Sequence, residues 1–112
     1  MEISKTVGGT VTTVHLNGRL DASTSSNVET FIGEIFDGGA QALIIDFTKL
    51  NYISSAGLRV LLSVAKRAKT AQAKLALFGL TDEVKQIFDI SGFTNILPVL
   101  QDEIAARDAV TQ

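Results

Sequence analysis

The chain of 112 residues contains no cysteine and a single histidine, which removes disulfides, thiol chemistry and any Cys/His zinc cluster. An excess of basic charge is also missing. Ten lysines and arginines against twelve acids leave a net charge of −2, and the ten are scattered, so no footprint for phosphate backbones forms and nucleic acid is not an expected partner. No stretch approaches the ~20 apolar residues of a membrane-spanning helix. The first twenty residues carry Glu2, Lys5 and Arg19 and lack the apolar centre of an export signal, so a soluble, cytoplasmic protein with no membrane partner is expected. A Gly-rich phosphate loop followed by Lys-Ser or Lys-Thr is absent as well, which argues against a small nucleotide-binding enzyme. No metal or organic cofactor is called for by these residues.

What is present is enough apolar material for one core. With 46% hydrophobic and 20% charged residues, the length suits a single domain over 1–112 and is too short for two ordinary ones. Glu2 to Val7 and Thr10 to Leu16 are β-branched-rich runs separated by Gly8-Gly9, the composition of a tight antiparallel hairpin. Val28, Phe31, Ile32, Ile35 and Phe36 recur at helical spacing, and Gly38-Gly39 stops the helix they define. Its start is open over several residues, since Asp21, Ser23, Thr24, Ser25 and Ser26 all suit a cap and Ser26 with Glu29 matches a capping box.

Ala42 to Phe47, interrupted only by Asp46, and Lys74 to Leu80 read as buried strands. Between them a helix places Leu58, Leu61, Leu62, Ala65 and Ala68 on one side and Arg59, Ser63, Lys66 and Arg67 on the other. A third helix follows Thr81, with Val84, Ile87 and Phe88 inward and Ser91-Gly92 as its stop. Pro98 limits Ile96 to Val99 to a short edge strand. Gln101 to Val110 reads as a weakly docked helix with a thin apolar face of Ile104, Ala105 and Ala109. The expected order is ββαβαβαβα, an α/β fold with a mixed, mostly parallel sheet, helical crossovers and one antiparallel strand at the start.

Ser54 and Ser55 stand where the central strand gives way to the second helix. Either is an ordinary helix cap. A hydroxyl there also lies beside unpaired backbone N–H groups and the positive end of the helix dipole, a place that tolerates added negative charge such as a phosphate. Asp21 and Asp46 are expected at or just after strand ends, where sites in parallel sheets gather; each also has a local reading, as a helix cap or a strand-end acceptor. A self-phosphorylating aspartate pocket would need clustered acids for Mg²⁺, and Asp21 has no acidic neighbour in sequence. A hydrolytic triad fails too, because His15 is expected as a solvated strand residue. Val60 and Val64 lie on the flank of the second helix, where they either complete the core or offer apolar contacts to a partner.

The strings Gly18-Arg19-Leu20-Asp21, Ile44-Ile45-Asp46-Phe47 through Tyr52-Ile53-Ser54-Ser55-Ala56-Gly57-Leu58, and Val84-Lys85-Gln86-Ile87-Phe88-Asp89-Ile90-Ser91-Gly92 appear in this order. Together they resemble the STAS domain of bacterial anti-sigma-factor antagonists over nearly the whole chain. The resemblance implies a protein without catalytic activity that binds an anti-sigma factor acting as a serine kinase. That kinase would phosphorylate the matching serine, Ser55, with Ser54 as the fallback because it stands where aspartate is common. Phosphorylation would release the partner, and a separate serine phosphatase would restore binding. Asp21, Asp46, Ser54, Ala56, Gly57, Leu58, Val60 and Val64 are the expected partner-binding positions, and a monomer is the default for a switch of this size. The alternative is a STAS adaptor in another signalling or transport complex with no sigma factor downstream.

Overall fold

The computed structural model describes residues 1–111. In chain order the elements are β1 (Glu2–Gly8), β2 (Val11–Leu20), α1 (Ser25–Asp37), β3 (Ala42–Ile53), α2 (Ser55–Thr70), β4 (Lys74–Phe78), α3 (Asp82–Ser91), a 3-10 turn at Phe93–Asn95, β5 (Val99–Leu100) and α4 (Glu103–Thr111). The strands form one sheet in the order β1-β2-β3-β4-β5. β1 is antiparallel to β2 and every other pair is parallel, as the alternation of strands and helices predicts.

Local chemistry moves several boundaries. Gly8 pairs with Val11, so the hairpin turn is Gly9-Thr10, one residue later than expected, and Gly9 supplies the positive φ of +63°. The Ser26–Glu29 capping box does not form, because α1 already begins at Ser25. Asp21 organises its entry instead: the Asp21 amide donates to Thr24 Oγ1 at 2.9 Å, and the Ser25 amide donates to the Asp21 carbonyl at 2.9 Å. β3 runs to Ile53 rather than ending near Phe47. Polar Thr48, Lys49, Asn51 and Tyr52 break the apolar pattern, but register shifts against β2 let Leu50 and Ile53 turn back to the core at 0% and 2% exposure. The last strand is Val99–Leu100 rather than Ile96–Val99, since Phe93–Asn95 coils first and buries Phe93. Pro98 still serves the sheet, its carbonyl accepting from the Leu77 amide at 2.9 Å.

One sheet face carries Val14, Leu16, Leu43, Ile45, Phe47 and Leu77 and is covered by apolar side chains of α1, α2 and α3. Phe88 packs edge-on against Phe47 and Phe93, with centroids 6.0 and 5.8 Å apart. On α2 the buried set is Gly57, Val60, Leu61, Val64 and Ala68, while Leu58, Leu62 and Ala65 sit half-buried beside it. The expected face is therefore shifted in part: Leu61 and Ala68 are buried as expected, Gly57, Val60 and Val64 join them where helix and sheet approach, and Leu58, Leu62 and Ala65 fall to the edge. The opposite sheet face, with Val11, Ala42, Ile44, Ala76 and Phe78, is closed by Ala106 and Val110 of α4. That corrects the expected Ile104/Ala105/Ala109 face, for Ile104 is 74% exposed. No helix among the described residues is long and apolar enough to cross a membrane.

Candidate functional site

β2 and β3 end side by side, Leu20 pairing with Ile53, and the Ser54 amide donates to the Leu20 carbonyl at 2.9 Å. This bond sets the turn after β2, with Asp21, alongside the start of α2. Ser54 is in an extended conformation at the N-cap of α2. Its hydroxyl accepts from the Gly57 amide at 3.3 Å, and its carbonyl accepts from the Leu58 amide at 2.9 Å. Ser54 is thereby committed to starting the helix.

Ser55, the first residue of α2, is exposed, and no hydrogen bond of its hydroxyl occurs among the described residues. Ala56 and Leu58 are half-buried beside it. Gly57 is buried: a Cβ there would lie 2.8 Å from Ile53 Cγ1 and from Leu20 Cγ, and 2.9 Å from the Leu20 carbonyl oxygen. Gly57 thus faces inward, where its missing side chain lets the helix start rest on the strand ends. Val60 and Val64, at 6% and 3% exposure, complete the core and offer nothing to a partner. Their position on the flank of a leucine-centred face does not hold because that face is turned toward them.

Asp21 borders this corner. Its carboxylate accepts from the Ser23 amide at 3.0 Å and the Ser23 hydroxyl at 2.7 Å, and Arg19 stands 3.7 Å away. The Ser23 hydroxyl and amide hold the carboxyl below its ordinary value against desolvation, which raises it, with Thr24 and Arg19 adding smaller help. Arg19 also lies over the Tyr52 ring, 4.1 Å from its centroid, a stack that tethers the β2 exit to β3.

Asp46 is not part of this corner. It sits within β3 and pairs with His15 of β2, seven residues before Ile53. At about 3.3 Å per residue, the eight and nine residues to Ser54 and Ser55 span roughly 25–30 Å. The strand is longer than its apolar run suggests, which leaves Asp46 mid-strand rather than at a strand end. Its carboxylate accepts from the Thr48 amide at 2.9 Å and the Thr48 hydroxyl at 2.7 Å, and it contacts His15 Nδ1 at 2.8 Å. His15 Nε2 in turn lies 3.0 Å from Thr6 Oγ1. Burial alone would raise the Asp46 carboxyl, but the Thr48 and His15 contacts outweigh it and the group stays below its ordinary value. The expected solvated His15 is thus a cross-strand partner. Its one sequence signal was the parallel alignment of β2 with β3, which no local pattern reveals. The Arg19–Tyr52 stack was missed for the same reason.

No group of three or more His, Cys, Asp or Glu side chains poised to hold a metal ion occurs among the described residues. The corner around Ser55 presents an exposed serine at the first position of α2.

Comparison with known proteins agrees with this architecture. The STAS domain family model matches residues 2–106. BtrV of Bordetella bronchiseptica, by name a candidate anti-sigma factor antagonist, is 38% identical over 94 residues, covering 84% of this chain and 81% of that protein. An anti-sigma factor antagonist from Mycobacterium paratuberculosis superposes with a TM-score of 0.90 at 19% identity, over 99% of this chain and 94% of that one. The Bacillus cell-fate determinant SpoIIAA in its phosphorylated form does so with a TM-score of 0.71 at 20% identity, over 93% and 96%. SpoIIAA in its unphosphorylated form is likewise named an anti-sigma factor antagonist. The chain belongs to the STAS domain family.

Proposed function

We propose that this chain is a cytoplasmic, monomeric anti-sigma factor antagonist. In this reading it binds an anti-sigma factor that is also a serine kinase while Ser55 is unmodified, and it is released when that kinase phosphorylates Ser55. A serine phosphatase resets it, and the chain catalyses nothing itself. The observation that carries the reading is the division of labour between the two serines: Ser54 caps α2, whereas Ser55 is exposed. The names of its relatives as anti-sigma factor antagonists support the same role. In this reading Asp21, at the β2 exit beside the start of α2, and Ser54, Ala56 and Leu58, next to Ser55 in the chain, form the contact surface; Asp46 is remote, and Gly57, Val60 and Val64 are buried.

A phosphate adds about −1.5 to −2 charge at neutral pH. At the start of a helix the domain itself accommodates that charge, so the cost falls on the complex. Like charges at an interface cost several kcal/mol, and each ~1.4 kcal/mol is a tenfold loss of affinity. Release therefore requires no rearrangement of the fold.

The test is titration of wild type, Ser55→Ala and Ser55→Asp against the cognate anti-sigma kinase, with mass spectrometry of the 52–67 region after incubation with ATP. Alanine should retain binding and stay unmodified, and aspartate should lose most of the affinity. Equal affinity for all three proteins contradicts the switch. An unmodified wild-type chain would favour the adaptor role, and phosphate on Ser54 alone would move the site by one residue.

A further inference from the structure

We propose that phosphate on Ser55 is held by Arg59, so that modification withdraws a free guanidinium from the docking surface as well as adding charge. This rests on the reading of Ser55 as the modified residue. Arg59 follows Ser55 by four residues on the same helix, a spacing that brings the two side chains to one face a single turn apart. The order is the favourable one, with the anion N-terminal to the cation.

Arg59 is also available. It is exposed, and among the described residues it has no carboxylate within ion-pair reach. Arg19, Arg67 and Arg107, by contrast, stand 3.7, 2.7 and 3.7 Å from Asp21, Asp37 and Glu103. No acidic residue occupies the first turn of α2 to compete for it. The nearby Asp21 carboxylate is engaged by Ser23, Thr24 and Arg19. A guanidinium fork matches phosphate oxygens in pairs of charge-assisted hydrogen bonds, which a hydroxyl cannot elicit. Before modification Arg59 therefore projects freely beside Ser55, and afterwards it folds back along the helix. A partner that reads this corner meets two changes at once: a hydroxyl replaced by an anion, and a cation removed.

The experiment installs phosphoserine at position 55 during protein synthesis, in the wild-type chain and in Arg59→Gln, and follows the phosphorus NMR signal through its second ionisation. Arginine should lower that ionisation relative to the glutamine variant by on the order of half a unit, with the difference shrinking in strong salt. The Arg59 Nε–H signal should shift only in the phosphorylated wild-type protein. Superimposable titrations, or an Arg59 signal indifferent to the phosphate, would overturn the pairing. Because Arg59 is exposed, melting of the two unphosphorylated proteins at the same temperature is the control for folding. The phosphoserine is placed without any kinase, so this result stands apart from the proposed switch; protein from native cells lacking phosphate at Ser55 would remove the switch and leave the NMR result unchanged.

Discussion

At the residue scale, the start of α2 depends on one absent side chain. Gly57 sits against Leu20 and Ile53 closely enough that a Cβ would clash at 2.8 Å with both, and the Leu20 carbonyl it would crowd is the acceptor of the Ser54 amide. Gly57→Ala must lift the helix start from the strand ends. Overpacking of this kind costs about 1–3 kcal/mol, which should lower the melting temperature by roughly 5–15 °C in a domain of this size. A thermal melt followed by circular dichroism checks it, and an unchanged midpoint would mean that the corner is looser than its contacts imply. The same residue shows the limit of reading one dimension. Serine at the helix start was legible because capping chemistry is local, and Ser55 was favoured over Ser54 by resemblance rather than by physics. What separates them physically is that β3 continues to Ile53, which makes Ser54 the cap, and that continuation depends on register shifts against a neighbouring strand.

At the scale of elements, the order of strands and α-helices was legible, because apolar periodicity and turn residues act within a few positions of one another, whereas the 3-10 turn at Phe93–Asn95 was missed and the last strand shares only Val99 with the expected one. The face of α2 was legible only in part, and that of α4 was not legible. A face in a helix containing alanine, valine and leucine is set by how near the sheet comes, and small residues win where the approach is close. α4 gives the sharper test, since two assignments of its face predict opposite outcomes. Val110 is 5% exposed and packs with Ile44, Ala76 and Phe78, while Ile104 is 74% exposed. Val110→Ala should destabilise by on the order of 1–2 kcal/mol, since it removes buried methyl groups and leaves a small cavity. Ile104→Ser should lie within about 0.5 kcal/mol of wild type. Urea denaturation of both variants decides between the faces, and the reverse ranking would restore the one that periodicity alone suggests.

At the scale of the whole molecule, the two faces of the sheet have different duties. One is sealed by α1, α2 and α3, and the other is covered by α4 over Val11, Ala42, Ile44, Ala76 and Phe78. Further along that second face, β1, β2 and β3 are cross-linked by Thr6, His15, Asp46 and Thr48. Asp46 is the centre of that link, its side chain only 17% exposed, and its carboxyl is held below the ordinary value despite the burial that opposes this. A carboxyl with a lowered folded-state value contributes stability that is present above its unfolded-chain value, near ~3.9. That contribution is lost as pH falls through this value toward the folded one. Asp46→Asn keeps an acceptor for the Thr48 amide but cannot be ionised. It should therefore cost on the order of 1.5 kcal/mol at pH 7, the lower end of the range for hydrogen bonds to charged groups. The deficit should shrink as the solution is acidified below about pH 4, where the carboxyl of the unfolded chain takes up its proton ahead of the folded one. Urea midpoints for both proteins between pH 7 and pH 3 measure the convergence. Curves that stay parallel would mean that the ionised form of Asp46 carries no share of the stability and that the link among the three strands owes nothing to charge.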